Sequence, residues 1–115
     1  ETRRIAIICA HGDLDEVYPA LILASTARLT GVDAMVLFTS HGLDVITGSK
    51  VERAAEQSPT PLLELLREAG CDLYGCKQAM ETQGLRQQDL VPQVTDVITA
   101  ADFFGRASDA RIIFT

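Results

Sequence analysis

The stretch Arg3-Arg4-Ile5-Ala6-Ile7-Ile8-Cys9-Ala10-His11-Gly12-Asp13 decides the reading of the fold. From Ile5 to Ala10 every position is apolar, isoleucine dominates, and polar and apolar side chains do not alternate. A strand with one wet face alternates. A strand buried on both faces does not, and such strands belong to parallel sheets covered by helices. Gly12 then permits a tight turn, and Asp13 or Asp15 is placed to cap a helix.

Working outward, Val17, Leu21, Ala24 and Ala27 recur at helical spacing and predict a helix over 15–30. Leu14, Ile22, Leu23 and Leu29 broaden its apolar side, so it is expected to be deeply buried. Pro19 falls near the first turn and Gly31 is the stop. Asp33 to Thr39 is the second strand. Thr39-Ser40-His41-Gly42 is a polar loop, and Leu43 to Ile46 a helical turn. Thr47 to Pro61 reads as a surface excursion, broken at Gly48, Pro59 and Pro61. A short helix follows over 61–69, with Leu62, Leu63, Leu65 and Leu66 inward. The third strand is Asp72 to Cys76, followed by a helix ending at Gly84. A helical turn at 86–90, a fourth strand within 93–98, a helix to about Ala107 and a fifth strand, Arg111-Ile112-Ile113-Phe114, complete the chain. Alternation of this kind predicts a single α/β domain over 1–115. It is flavodoxin-like and three-layered, with a five-stranded parallel sheet in the order 2-1-3-4-5 and helices on both faces.

Composition narrows the function. The 115 residues are 47% hydrophobic, enough for a packed core. The net charge is −6, with 16 acidic against 10 basic residues, and no dense basic run offers itself to phosphates, so nucleic acid is not an expected partner. No apolar run approaches the ~20 residues of a membrane helix, so no membrane association is expected. The chain begins at Glu1 and enters a strand at once; any targeting segment is expected to be absent or removed. Three cysteines, an odd number, point to a reducing, cytoplasmic setting rather than a disulfide framework.

In an open parallel sheet, function gathers at the carboxyl ends of the strands. The first strand delivers Cys9 and His11 there, the second His41, and the third Cys76 and Lys77. Cys76 leads. It stands at a strand exit before a helix, where free N–H groups and the Lys77 ammonium favour a thiolate. Cys71 opens the same strand, ~16 Å away at ~3.3 Å per residue, beyond the ~7 Å between Cα atoms that a disulfide allows. It reads as a core residue. Cys9 ends the strand expected beside the third, which would bring it near Cys76 as a resolving or relay thiol. A buried apolar cysteine is the plainer reading. His11 and His41 are expected as bases or hydrogen-bond donors beside the thiol, and Tyr18 as a rim residue. Alternatively, each is an ordinary loop or helix residue. The spacing of the histidines and cysteines matches no zinc motif, so no metal is expected. His11-Gly12-Asp13-Leu14-Asp15 has one glycine and two carboxylates where a phosphate loop would stand, so no nucleotide or flavin cofactor is expected.

A family resemblance rests on three segments. Gly70-Cys71-Asp72-Leu73-Tyr74-Gly75-Cys76-x-x-Ala79-Met80-x-x-x-Gly84-Leu85 resembles the cysteine segment of the DsrE/DsrF-like sulfur-relay proteins. Ile7-Ile8-Cys9-Ala10-His11-Gly12-Asp13-Leu14-Asp15-x-x-Tyr18-Pro19 and Leu37-Phe38-Thr39-x-x-Gly42-Leu43 resemble the same family's first strand and helix and its second strand. The resemblance implies a flavodoxin-like sheet, a homo-oligomer, and a cytoplasmic sulfur carrier or sulfurtransferase. Cys76 would hold a persulfide and exchange it with a TusA-like carrier. Relatives often place an aromatic residue where this chain has Ser40-His41. The competing expectation is a non-catalytic oligomeric docking or regulatory subunit whose cysteines are structural.

Overall fold

The computed structural model describes residues 4–53 and 59–115. Five strands form one parallel sheet: β1 (Arg4–Cys9), β2 (Asp33–Phe38), β3 (Asp72–Cys76), β4 (Asp96–Ile98) and β5 (Arg111–Phe114). Among the described residues, five α-helices connect them: α1 (Leu14–Leu29), α2 (Gly48–Arg53), α3 (Thr60–Glu68), α4 (Lys77–Gln83) and α5 (Ala100–Arg106). The architecture is the α/β sandwich expected, with helices on both faces.

The order along the sheet is β4-β3-β2-β1-β5, and this differs from 2-1-3-4-5. β1 lies between β2 and β5, so β2 separates it from β3. The physical reason is the direction of the crossovers. From β1 to β4 the chain steps the same way across the sheet each time, and right-handed connections then keep the intervening helices on one face. Leu21 of α1, Leu63 and Leu66 of α3 and Met80 of α4 share that face with Ile7, Cys9, Val36, Phe38 and Leu73. From β4 the chain runs back to the far side of β1, and the same handedness puts α5 on the second face. There Phe103 and Ala107 meet Ala6, Met35, Leu37, Tyr74, Cys76 and Ile98.

Local chemistry sets the ends of the elements. Asp13 caps α1, its Oδ1 accepting from Asp15 N–H at 3.1 Å. Gly31, at φ 86°, takes the left-handed conformation that ends this helix without a Cβ penalty. Gly42 sits against the end of β1, where a Cβ would fall 2.1 Å from Cys9 O, so the β2 exit loop closes there only with glycine.

Two expectations change. Ile22, Leu23 and Leu29 of α1 and Leu65 of α3 are exposed rather than buried, because one side of each helix faces away from the sheet. Thr47 is not part of a surface excursion. It is buried, donates its hydroxyl hydrogen to Leu43 O at 2.7 Å, and bridges antiparallel to Leu90. It is followed by α2. The rest of that excursion falls partly on 54–58, outside the described residues. Among the described residues no helix is long and apolar enough to cross a membrane.

Candidate functional site

Cys76 is the last residue of β3 and the N-cap residue of α4. Its position follows from the sequence. The Leu73-Tyr74-Gly75 run is buried in the middle of the sheet, and the polar residues from Lys77 onward turn directly into helix. The backbone at Cys76 is extended (φ −77°, ψ 117°) and its sulfur makes no capping bond to α4. The thiol instead donates to the side-chain oxygen of Gln78, Sγ to Oε1 3.6 Å. That oxygen also accepts the N–H of Ala100, the first residue of α5, at 3.3 Å. The apolar neighbours of Cys76 are second-face residues, among them Tyr74, Ile98 and Phe103, and 6% of the residue is exposed.

The three cysteines occupy different environments. Cys9 is 1% and Cys71 0% exposed, and both belong to the first-face core. Burial pushes the Cys9 thiol up to about 11, against the smaller, lowering effect of a backbone hydrogen bond at His11; its Sγ lies 3.5 Å from His11 O. Burial first, and the Asp72 carboxylate second, push Cys71 up to about 12 against the pull of Arg28 and Arg67. A thiol held neutral in this way is a poor nucleophile.

Cys9 and Cys76 are not brought together. β2 lies between their strands, which puts their backbones ~10 Å apart at ~4.8 Å per strand. Their side chains also point to opposite faces. The juxtaposition expected from strand order fails because the β1–β3 pairing does not exist. Cys71 lies at the opposite end of β3, as its spacing from Cys76 required.

The remaining candidates lie around the carboxyl edge. His11 is exposed and its Nδ1 lies 3.3 Å from Glu16 Oε2. His41 is exposed in the turn Ser40–Val45. The two exit loops pack closely, since a Cβ on Gly12 would fall 2.6 Å from His41 O. Lys77 is exposed at the start of α4. Tyr18 is half-buried on α1, a first-face helix, whereas Cys76 looks to the second face. Gln83 ties α4 to the β2 exit by donating Nε2–H to Ser40 O at 2.8 Å. Among the described residues no group of three or more His, Cys, Asp or Glu is placed to hold a metal ion. A concavity of about 790 Å³, lined by residues including Thr47, Leu85, Leu90 and Pro92, contains none of these candidates. Sequence reasoning passed over Gln78. Its one signal was position, as the second residue of the helix that follows the thiol.

The structure therefore defines a parallel α/β protein with one thiol, Cys76, at the carboxyl edge of its sheet against a side-chain amide. Comparison with known proteins places it more closely. The profile of the DsrE/DsrF/DrsH-like family matches residues 1–61 and 49–114, and the chain belongs to that family. The "Sulfur carrier protein DsrE2" of Allochromatium vinosum is 46% identical over 46 residues, which is 40% of this chain and 29% of that relative. The fold is shared with MTH1491 of Methanobacterium thermoautotrophicum, described as a protein of unknown function, at a TM-score of 0.79 and 18% identity over 98% of this chain and 99% of that one. It is shared equally with the YchN protein of E. coli, at 0.78 and 16% over the full length of both.

Proposed function

We propose that this protein is a cytoplasmic sulfur carrier in which Cys76 accepts a sulfane sulfur and passes it on as a persulfide. One observation carries the reading. Cys76 is the carboxyl-edge thiol that faces the second side of the sheet and keeps 6% exposure, whereas Cys9 and Cys71, at 1% and 0%, are sealed in the first-face core with thiols raised to about 11 and 12. The family and the sulfur-carrier relative support sulfur relay as the setting. A persulfide carrier needs a thiol that a partner can reach but that bulk solvent scarcely touches, and partial burial at a rim answers to both. No cofactor is required for such a transfer. The carrier would exchange sulfur with a TusA-like protein, and His11, His41 and Lys77 would shape the docking rim.

The same reading includes a homo-oligomer. Ile22 and Leu23 on α1, and Phe104, Ile112 and Phe114 on and beside the second face, are large exposed apolar groups that a second copy would cover. The 6% exposure of Cys76 favours a second reading, a docking or regulatory subunit with structural cysteines only.

The test is mass spectrometry after incubation with a polysulfide or a persulfide donor. A +32 Da adduct is expected on the Cys76 peptide and lost in Cys76→Ser (~32 Da being one sulfur atom). Loading that persists in Cys76→Ser rejects the assignment to this residue. An unmodified Cys76 under the same conditions favours the regulatory reading.

A further inference from the structure

Gln78 is an exposed residue whose amide stands between the Cys76 thiol and the start of α5. Two donors meet at its oxygen. Ala100 N–H can only donate, so the group facing it must be Oε1, and this settles the orientation of the amide without reference to the sulfur. The thiol, 3.6 Å from the same atom, then has to present its S–H. The arrangement suits a protonated sulfur. A sulfur anion at that point would face the lone pairs of a carbonyl-type oxygen.

We propose that Gln78 is the positioning residue for sulfur on Cys76, and that its amide turns over when the sulfur is loaded. The proposal rests on the carrier reading above. In the loading step the Cys76 sulfur, having lost its proton, attacks the outer sulfur of a donor R–S–SH. A Cys76 S–S bond forms, the donor S–S bond breaks, and R–S⁻ leaves and takes up the proton. The sulfane sulfur changes owner with no net oxidation. The product is Cys76–S–SH, whose terminal S–H is more acidic than a thiol because the charge spreads onto a second sulfur. At neutral pH it is held as the anion. Half a turn about the last side-chain bond of Gln78 exchanges Oε1 for Nε2, so that an N–H donates to that anion. The same half turn withdraws the acceptor from Ala100 N–H. The first residue of α5 thereby loses one cap, while the Thr99 hydroxyl keeps its bond to Asp102 N at 3.1 Å. Sulfur on Cys76 and the first turn of α5 are coupled through one amide.

Two substitutions separate this from a structural role. In Gln78→Glu a carboxylate oxygen still caps Ala100 but no N–H can be offered. In Gln78→Ala both bonds are lost. If the residue only caps α5, Gln78→Glu behaves as the native chain. If it positions sulfur, both variants release the Cys76 persulfide to a thiol such as dithiothreitol about tenfold faster than the native chain, the worth of one hydrogen bond to a charged group. Backbone NMR gives the second readout. Ala100 N–H is expected to shift and to exchange faster with solvent when the native chain is loaded, and in Gln78→Ala to occupy the released position with or without sulfur. Alkylation by iodoacetamide, which needs no sulfur donor, is expected to be slower at Cys76 in Gln78→Glu than in Gln78→Ala. Persulfide lifetimes or alkylation rates that are equal in all three chains overturn the proposal. A slowed alkylation in Gln78→Glu with no persulfide on any chain overturns the turning amide and the carrier reading together, and leaves the thiol–amide contact standing.

Discussion

The division of labour among the thiols can be measured by exposing the folded chain to an aromatic disulfide reagent at pH 7.5 and asking which cysteine is modified, and how fast. An ordinary thiol of pKa ~8.5 is roughly 10% thiolate at that pH. Cys9, pushed up to about 11, is ionised to about 0.03%, and Cys71, at about 12, to about 0.003%. Thiolate content alone therefore slows them by about 300-fold and about 3,000-fold against an unfolded chain. A more basic thiolate is also a better nucleophile, and a Brønsted slope of about 0.45 returns about 13-fold and about 40-fold of this. The net expectation is a slowing of at least about 20-fold for Cys9 and about 80-fold for Cys71, before restricted access to residues 1% and 0% exposed is counted. Stopped samples analysed by peptide mass spectrometry assign each site, and the same reaction in guanidinium supplies the reference, where all three should react alike. Cys76 is expected to be modified first. Modification of Cys9 or Cys71 in the folded chain at the unfolded rate would refute the argument from burial.

Other predictions follow from the same geometry. Cys9→Ala should leave the rate of Cys76 modification unchanged, because β2 and the thickness of the sheet lie between them; a change beyond about twofold (about 0.4 kcal/mol) contradicts that placement. Gly42→Ala should destabilise the fold by at least about 3 kcal/mol, read as a fall in Tm of roughly 10 °C or more, since its Cβ would fall 2.1 Å from Cys9 O and 2.8 Å from Cys9 C. Phe103→Ala should cost about 3–5 kcal/mol in denaturant unfolding, as Phe103 is wholly buried where α5 meets the second face. Stability should also fall with alkaline pH. The two core thiols keep their protons in the folded chain up to about 11 and 12 but lose them near 9 once unfolded, so the unfolded state binds fewer protons in that window. The stabilisation is complete below about pH 9 and declines with a slope approaching roughly 2–3 kcal/mol per pH unit up to about 11, then with about half that slope to about 12, where Cys71 alone still contributes. Cys71→Ala should flatten that slope by about half.

The strands were legible because each announces itself locally. The unbroken Ile5–Ala10 run and Leu73-Tyr74-Gly75 before a polar helix start are signals that neighbouring residues define. Their order was not legible, because β1 beside β2 and β1 beside β3 bury the same apolar side chains, and only the path of the crossovers tells them apart. Ile22, Leu23 and Leu29 were misread for a related reason. Leucine and isoleucine on a helix say that a surface is apolar, not that the same chain covers it. At the candidate site, the position of Cys76 between a strand and a helix was legible, and the structure has it at the end of β3 and the N-cap of α4. Gln78 was not, since its role depends on Ala100, twenty-two residues on, arriving at its oxygen.

The opposite-face placement of Cys9 and Cys76 bears on how long sulfur stays where it is put. A persulfide is discharged when a second thiol attacks the bridging sulfur, forms a disulfide and expels hydrosulfide. Cys9 lies on the wrong side of the sheet for that attack and Cys71 at the wrong end of β3, so the folded chain contains no thiol that reaches its own cargo. On the carrier reading, a sulfur atom on Cys76 would wait on an encounter with another molecule, and its storage time would be written in the concentration of acceptor thiols, not in the protein.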